Sequence, residues 1–301
     1  MKHCNQYVYL GVIFTSDGSA LSSLKQHVLE KKKHLNKLIM FFFKNQDMPF
    51  VMKKKVLDAA FSAALLYGCE AWLNVSLKQV ENLYHTSVKS LLGVRNTTGN
   101  NLCLLELGYP PLKSLIQARQ HKFLKNAISD RKDMSDDPLM FALQLTEMRN
   151  HNMWEYISGV LKEDNFISKG MESLKTIVKE SERTKSKTYL LLNPNLSIHS
   201  SYLSSSNMIP EYLRIVFSRF RLSSHRLRIE TGRWARIPPE DRLCQCGGAI
   251  QTEEHVLVSC PLVQHIRDLY SYDISYPDFL ENMKTVNEFT LLYRITKFFE
   301  D

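Results

Sequence analysis

The sequence predicts a mainly α-helical protein, with a short β-strand remnant at its start and a small zinc-stabilised module near its C-terminus. Three observations predict it. Apolar residues recur near the 3.6-residue helical period over most of residues 20–191. β-branched and aromatic residues concentrate only at residues 7–15. Three of the six cysteines lie within residues 244–260, beside a histidine.

The opening run, Tyr7-Val8-Tyr9-Leu10-Gly11-Val12-Ile13-Phe14-Thr15, reads as one strand closed by the turn Ser16-Asp17-Gly18. A lone strand cannot bury itself, so its sheet partners are expected outside this chain. Helices follow. Leu21, Leu24, Val28, Leu35, Leu38, Ile39 and Phe42 form an apolar stripe over residues 20–46. Pro49 opens a helix to about Trp72. Further helices are expected over 76–92, 112–129, 136–149, 152–162 and 169–191. The Asn, Pro and Ser-rich stretch 193–208 reads as a linker. The Asp136-Asp137 pair precedes Pro138 and reads as a helix start, not a metal site.

The 301 residues are 44% hydrophobic, enough for a sizeable core, and the net charge is +8. That charge is concentrated. Residues 20–57 hold nine lysines against Glu30 and Asp47, a net +7; residues 212–236 hold seven arginines against Glu230, a net +6. The remainder is therefore −5. Two cationic patches on a mildly acidic chain form a polyanion footprint. Lys31, Lys32, Lys33, Lys53, Lys54 and Lys55 mark the first, and solvated helix faces are an equal reading for them. The second is more specific, because guanidinium forks match phosphate geometry. Its candidates are Arg219, Arg221, Arg226, Arg228, Arg233 and Arg236. Trp234 either stacks on a base or packs in a small core.

Cys244-x-Cys246, eight residues, His255, four residues and Cys260 offer three thiolates and one imidazole, a donor set for one tetrahedral structural zinc. Gly247-Gly248 lets the chain turn back over the metal. Four protein ligands leave no place for a catalytic water, so the site is expected to fold and position rather than hydrolyse. The single residue between the first two cysteines is shorter than usual. The competing reading is buried thiols and a surface histidine.

These residues resemble the C-terminal part of reverse transcriptases from non-LTR (LINE-type) retrotransposons. Tyr9-Leu10-Gly11 looks like the primer-grip strand that ends the palm. Leu66-Tyr67-Gly68-Cys69-Glu70-Ala71-Trp72 looks like a thumb-helix motif, followed by Ser90-Leu91-Leu92-Gly93-Val94 and Leu105-Glu106-Leu107-Gly108-Tyr109-Pro110-Pro111-Leu112. The run from Arg219 through the cysteines, Glu253-Glu254-His255, Cys260-Pro261 and Arg267 is similar to that family's zinc-binding region. The resemblance implies four segments: a palm remnant at 1–18, a thumb-like helical domain at 19–130, a helical linker bundle at 131–208 and an arginine-rich zinc module at 209–301.

It implies binding of RNA or DNA, with the palm and fingers of a parent polymerase as partner. It also implies no catalytic residue here, because the family's palm aspartates precede the Tyr-Leu-Gly strand. A nuclease following the zinc region is not expected either: 41 residues follow Cys260, and Asp278 reads as a helix N-cap. With no apolar run near the ~20 residues of a membrane span and no signal-like start, the chain reads as intracellular; the resemblance implies cytoplasm and nucleus, as a ribonucleoprotein when expressed. A protein-interaction or relic domain, or a fragment carrying only its parent's polymerase activity in name, is the alternative.

Overall fold

A computed structural model describes residues 4–9, 12–16, 18–130, 137–203, 209–270, 272 and 274–300. Among the described residues the chain is mainly helical, with one two-stranded sheet. That sheet corrects the expected single strand. β1 (Gln6–Tyr9) and β2 (Val12–Thr15) pair antiparallel, from Gln6↔Thr15 to Tyr9↔Val12. Two residues separate the paired ends, and an X-Gly pair inside a β-prone run is a hairpin signal. Leu10 and Gly11 themselves lie outside the described residues, as does Asp136. Tyr7, Val8, Tyr9 and Phe14 remain more than half exposed.

Fifteen α-helical segments follow among the described residues. They are α1 (Ala20–Lys44), α2 (Phe50–Val56), α3 (Ala63–Leu65), α4 (Lys78–Leu92), α5 (Asn100–Leu107), α6 (Leu112–Ser129), α7 (Pro138–Arg149) and α8 (His151–Lys162). Then come α9 (Phe166–Lys179), α10 (Thr184–Leu192), α11 (Glu211–Arg221), α12 (Arg228–Trp234), α13 (Gln264–Arg267), α14 (Asp278–Asn282) and α15 (Val286–Glu300). Asp137 caps α7: its carboxylate accepts from the Leu139 and Met140 amides at 2.8 and 3.3 Å. At α14, Pro277 takes the cap position and Asp278 is the first helical residue, correcting the N-cap expectation.

Three further expectations change. The helix from Pro49 is interrupted by a π-type turn over Leu57–Ser62. The helix expected over 169–191 divides into α9 and α10, because Arg183 is extended (φ −67°, ψ 130°) after a polar Glu-Ser-Glu stretch. The described part of the expected linker is packed: Asn193, Leu196, His199, Ser201 and Tyr202 are all buried. Asn193 holds the bend, accepting from the Ser197 amide and donating to the Tyr189 hydroxyl, both at 3.0 Å.

The chain groups into two compact units, 1–38 with 57–85 and 110–174, and 39–56 with 86–109 and 175–301. Boundaries fall inside α1, α4 and α9, so each of these helices gives one end to each unit.

In the first unit, α6 packs on the turn at Cys69–Ala71 and on α8. Buried Gln120 donates to the carbonyls of Cys69 (3.2 Å) and Trp72 (3.0 Å) and accepts from the Tyr156 hydroxyl (2.7 Å). Its amide is thereby satisfied in the core, where an unpaired one would cost about 1–3 kcal/mol.

In the second unit, α11 packs on α15, with the Phe217 and Phe289 rings 4.9 Å apart. The helix α5 ends at Gly108 with φ +67°, and a Cβ there would lie 2.4 Å from Ile198 Cδ1, so only glycine closes this turn. Among the described residues, no helix is long and apolar enough to cross a membrane.

Candidate metal centre and its cationic flank

The Cys/His centre lies within the second unit, and local backbone assembles it. Leu243 bridges Ile250, the Cys244 amide donates to the Ala249 carbonyl (2.7 Å), and the Gly247 amide donates to the Cys244 carbonyl (3.0 Å). Gly247 sits at φ +77°, the left-handed conformation this tight return requires. The chain thus turns back immediately after Cys246.

The far ligands solve a spacing problem. Residues five apart on an α-helix lie about 140° apart around the axis. The stretch His255–Ser259 instead forms a π-type turn, and the Cys260 amide donates to the His255 carbonyl at 2.8 Å. The wider turn brings His255 and Cys260 to one side.

One donor atom each from Cys244, Cys246, His255 and Cys260 lies within 4.8 Å of the others. The Cys244 and Cys260 sulfurs are 3.7 Å apart, and the Cys246 sulfur is 3.3 Å from His255 Nε2. A tetrahedral zinc with Zn–S bonds of ~2.3 Å has sulfur–sulfur edges of ~3.8 Å, whereas a disulfide would need ~2.05 Å. The four residues are therefore close enough to hold one metal ion, and the three-thiol, one-imidazole set suits zinc.

Supporting contacts orient the ligands. His255 Nδ1 meets Ser259 Oγ at 3.1 Å, which leaves Nε2 for the centre. Gln251 Nε2 approaches the Cys244 sulfur at 3.9 Å. Burial pushes the Cys260 thiol up to about 11, while the Gly248 amide draws the Cys246 thiol down. Buried Arg267, part of the zinc-region resemblance, donates to the Cys260 carbonyl (2.6 Å) and the Val256 carbonyl (3.4 Å), tying the π-type turn together.

The arginine segment is joined to this centre. The Arg228 amide donates to Gln251 Oε1 at 2.7 Å, and its guanidinium donates to the Leu243 carbonyl at 2.9 Å, beside the first ligand. Buried Arg242 donates to the carbonyls of Ile229 and Ile237. Arg242 falls outside the arginine cluster in sequence, and no local signal marks it.

The structure sorts the expected cations. Arg226, Arg228 and Arg236 are exposed. Arg233 is half-buried and pairs with Glu230 at 3.0 Å. Arg219 is half-buried, its Nε donating to the Gly93 carbonyl at 2.8 Å. Arg221 leaves the expected surface altogether: it is 1% exposed and forms a two-bond pair with Glu106 at 2.7 and 3.2 Å. Lys53 does the same, fully buried against Glu211 and the Phe42 carbonyl.

The other lysines differ in kind. Lys32, Lys33 and Lys55 are exposed and Lys31 is half-buried, Lys33 pairing with Glu30. Lys54 lies over the Tyr109 ring and donates to the Leu107 carbonyl.

Trp234 does not pack in a small core. It is 49% exposed, and the Arg95 guanidinium lies 3.8 Å from its ring centroid. Arg95 in turn donates to the Ser224 carbonyl at 2.6 Å. Of the primer-grip-like residues, Tyr9 is exposed at the end of β1. Comparison of the chain with protein-family models, with curated proteins and with solved structures gives no match.

Proposed function

We propose that this chain binds the backbone of RNA or DNA through exposed arginines braced on a single structural zinc held by Cys244, Cys246, His255 and Cys260. One observation carries the reading: Arg228 bonds to Leu243 and Gln251, so the segment with exposed Arg226, Arg228 and Arg236 and half-buried Arg233 is tethered to the backbone that presents Cys244. Phosphate contacts position a nucleic acid, and a cation of fixed direction does so with more shape preference than one on a mobile stem. Lys31, Lys32, Lys33 and Lys55 supply general attraction. The reading assigns no polymerase chemistry to the chain, so primed RNA templates should not be extended in the presence of magnesium.

The test is binding of a labelled duplex and a labelled single strand at two salt concentrations, before and after chelation, with zinc content measured in parallel. Affinity should fall with salt by a log–log slope of about 0.9 per phosphate engaged on a duplex. Chelation should remove the preference between the two ligands. Salt-insensitive or absent binding overturns the reading.

A protein-docking reading has its own support in Tyr7, Val8 and Tyr9, each more than half exposed along an edge strand. It predicts capture of a protein partner that survives high salt and is lost on Val8→Lys.

A further inference from the structure

Elsewhere in the second unit lies a cavity of about 790 Å³, none of whose lining residues is a metal ligand. Its volume falls within the ~300–1,000 Å³ of small-molecule sites. Three cations line it, Arg183, Lys185 and Arg233, and no acidic residue does. Behind two of them stands Glu230, 1% exposed and ion-paired with Lys185 at 2.8 Å and with Arg233 at 3.0 Å. One buried carboxylate thus orients two cations and cancels one. With Arg183 the group keeps a net +2, matching a phosphate dianion.

The partners leave donors free to act. Lys185 donates to the Ser223 carbonyl at 2.9 Å, which leaves at least one of its three ammonium protons after the Glu230 ion pair. Arg233 keeps most of its five N–H groups. Arg183 forms no ion pair among the described residues, and the nearby Glu182 is engaged by Lys187.

The backbone adds to this field. Gly99 and Arg183 are the N-cap residues of α5 and α10, both line the cavity, and neither side chain caps its helix. Two helix starts therefore present unbonded amides on the side where an anion is favoured. Leu102, Ile177 and Val178 give one apolar wall.

We infer that this cavity binds a phosphate dianion attached to a larger group, held by Arg183, Lys185 and Arg233 over the starts of α5 and α10. The chemistry is that of a phosphomonoester or polyphosphate. Its source is either a free phosphate compound or the phosphorylated end of a nucleic acid. The site does not depend on the nucleic-acid reading above, although Arg233 serves in both.

The experiment is calorimetric titration of the full zinc-loaded chain with inorganic pyrophosphate, on wild type, Arg183→Gln, Thr184→Glu and Arg236→Gln. Arg183 and Thr184 are exposed, and a glutamate in the first turn of α10 favours the helix. Both variants should melt no lower than wild type, yet bind pyrophosphate at least about tenfold more weakly. Arg236→Gln lies outside the cavity and should bind as wild type does.

The inference is overturned by no binding at ~1 mM pyrophosphate, by unchanged binding in both cavity variants, or by an equal loss in Arg236→Gln. Single strands with a 5′-phosphate or a 5′-hydroxyl then separate the sources. A preference for the phosphate that Thr184→Glu abolishes assigns the site to nucleic-acid ends; equal strands with pyrophosphate binding intact assign it to a free phosphate compound. Loss of duplex binding with pyrophosphate binding intact counts against the proposed function and not against the cavity.

Discussion

In α11, Arg214 and Arg221 turn inward, 6% and 1% exposed, while Arg219 lies half-buried on the Gly93 carbonyl. Around α12, a few residues later, Arg226, Arg228 and Arg236 face solvent. The two regions are both rich in arginine and their arginines have opposite fates, because their partners differ. Arg221 meets Glu106 and the Leu192 carbonyl, and Arg214 donates to the Ile209 carbonyl and stacks on Phe50. Around α12, Arg228 donates to the Leu243 carbonyl and Arg233 pairs with Glu230. A linear cluster of arginines therefore measures two quantities at once, the glue of a core and the charge of a surface.

The largest test of this contrast removes the metal. Zinc–thiolate centres contribute on the order of 10 kcal/mol to small modules. Cys260→Ser should abolish zinc binding and expose the region around α12 and α13 to proteolysis, while α6 and α8 of the other unit stay protected. Retained zinc by metal analysis would break the assignment of Cys260 as a ligand.

Next is the buried pair. Arg221→Ala removes the cationic partner of buried Glu106, leaving it the Tyr189 hydroxyl at 3.0 Å, and should cost about 3–5 kcal/mol in chemical denaturation. Arg228→Ala should cost far less, so similar losses at the two positions would dissolve the distinction between core and surface arginines. Arg221→Met with Glu106→Leu should recover much of the stability, since a buried pair is often replaceable by apolar packing.

A smaller effect tests how α12 is seated on Arg242. A Cβ on Gly232 would lie 2.6 Å from Arg242 Cγ. Arg242 is anchored by three hydrogen bonds and has little room to yield. Gly232→Ala should therefore lose about 1–3 kcal/mol from overpacking, outweighing the roughly 1 kcal/mol that alanine gains in helix propensity. A raised melting temperature would show that Arg242 moves freely.

The smallest effects are on binding. Replacing Lys32 and Lys33 with glutamine should leave the melting temperature unchanged and weaken duplex and single strand alike. The salt slope should fall by up to about one for each phosphate that is no longer neutralised. Arg226→Ala with Arg228→Ala should weaken the preferred ligand more than the other. Uniform losses from both pairs would make the arginine segment a second generic patch.

Much of the secondary structure was legible because its cause is local. The stripes of α1 and α6, the Asp137-Pro138 start of α7 and the glycine turn after Cys246 depend on neighbours within a few residues. The four candidate metal-binding residues were legible for the same reason, since spacing within residues 244–260 suffices to bring them together. The helix α5 was not: its residues Leu102 through Leu107 are all buried, Glu106 included, so no polar face produces a period. The hairpin was hidden by an unbroken β-prone run whose only mark is Gly11.

The sequence by itself determined the helical class, the metal donor set and the total charge. Only the tertiary structure decided where that charge goes. Lys53 is drawn inward by Glu211, 158 positions away, and Arg221 by Glu106, 115 away. Likewise Arg183 and Arg233 come to line one cavity with Gly99. Such pairings arise because a buried charge must find an opposite charge or hydrogen-bonding partners, and no local pattern records which distant residue will provide them.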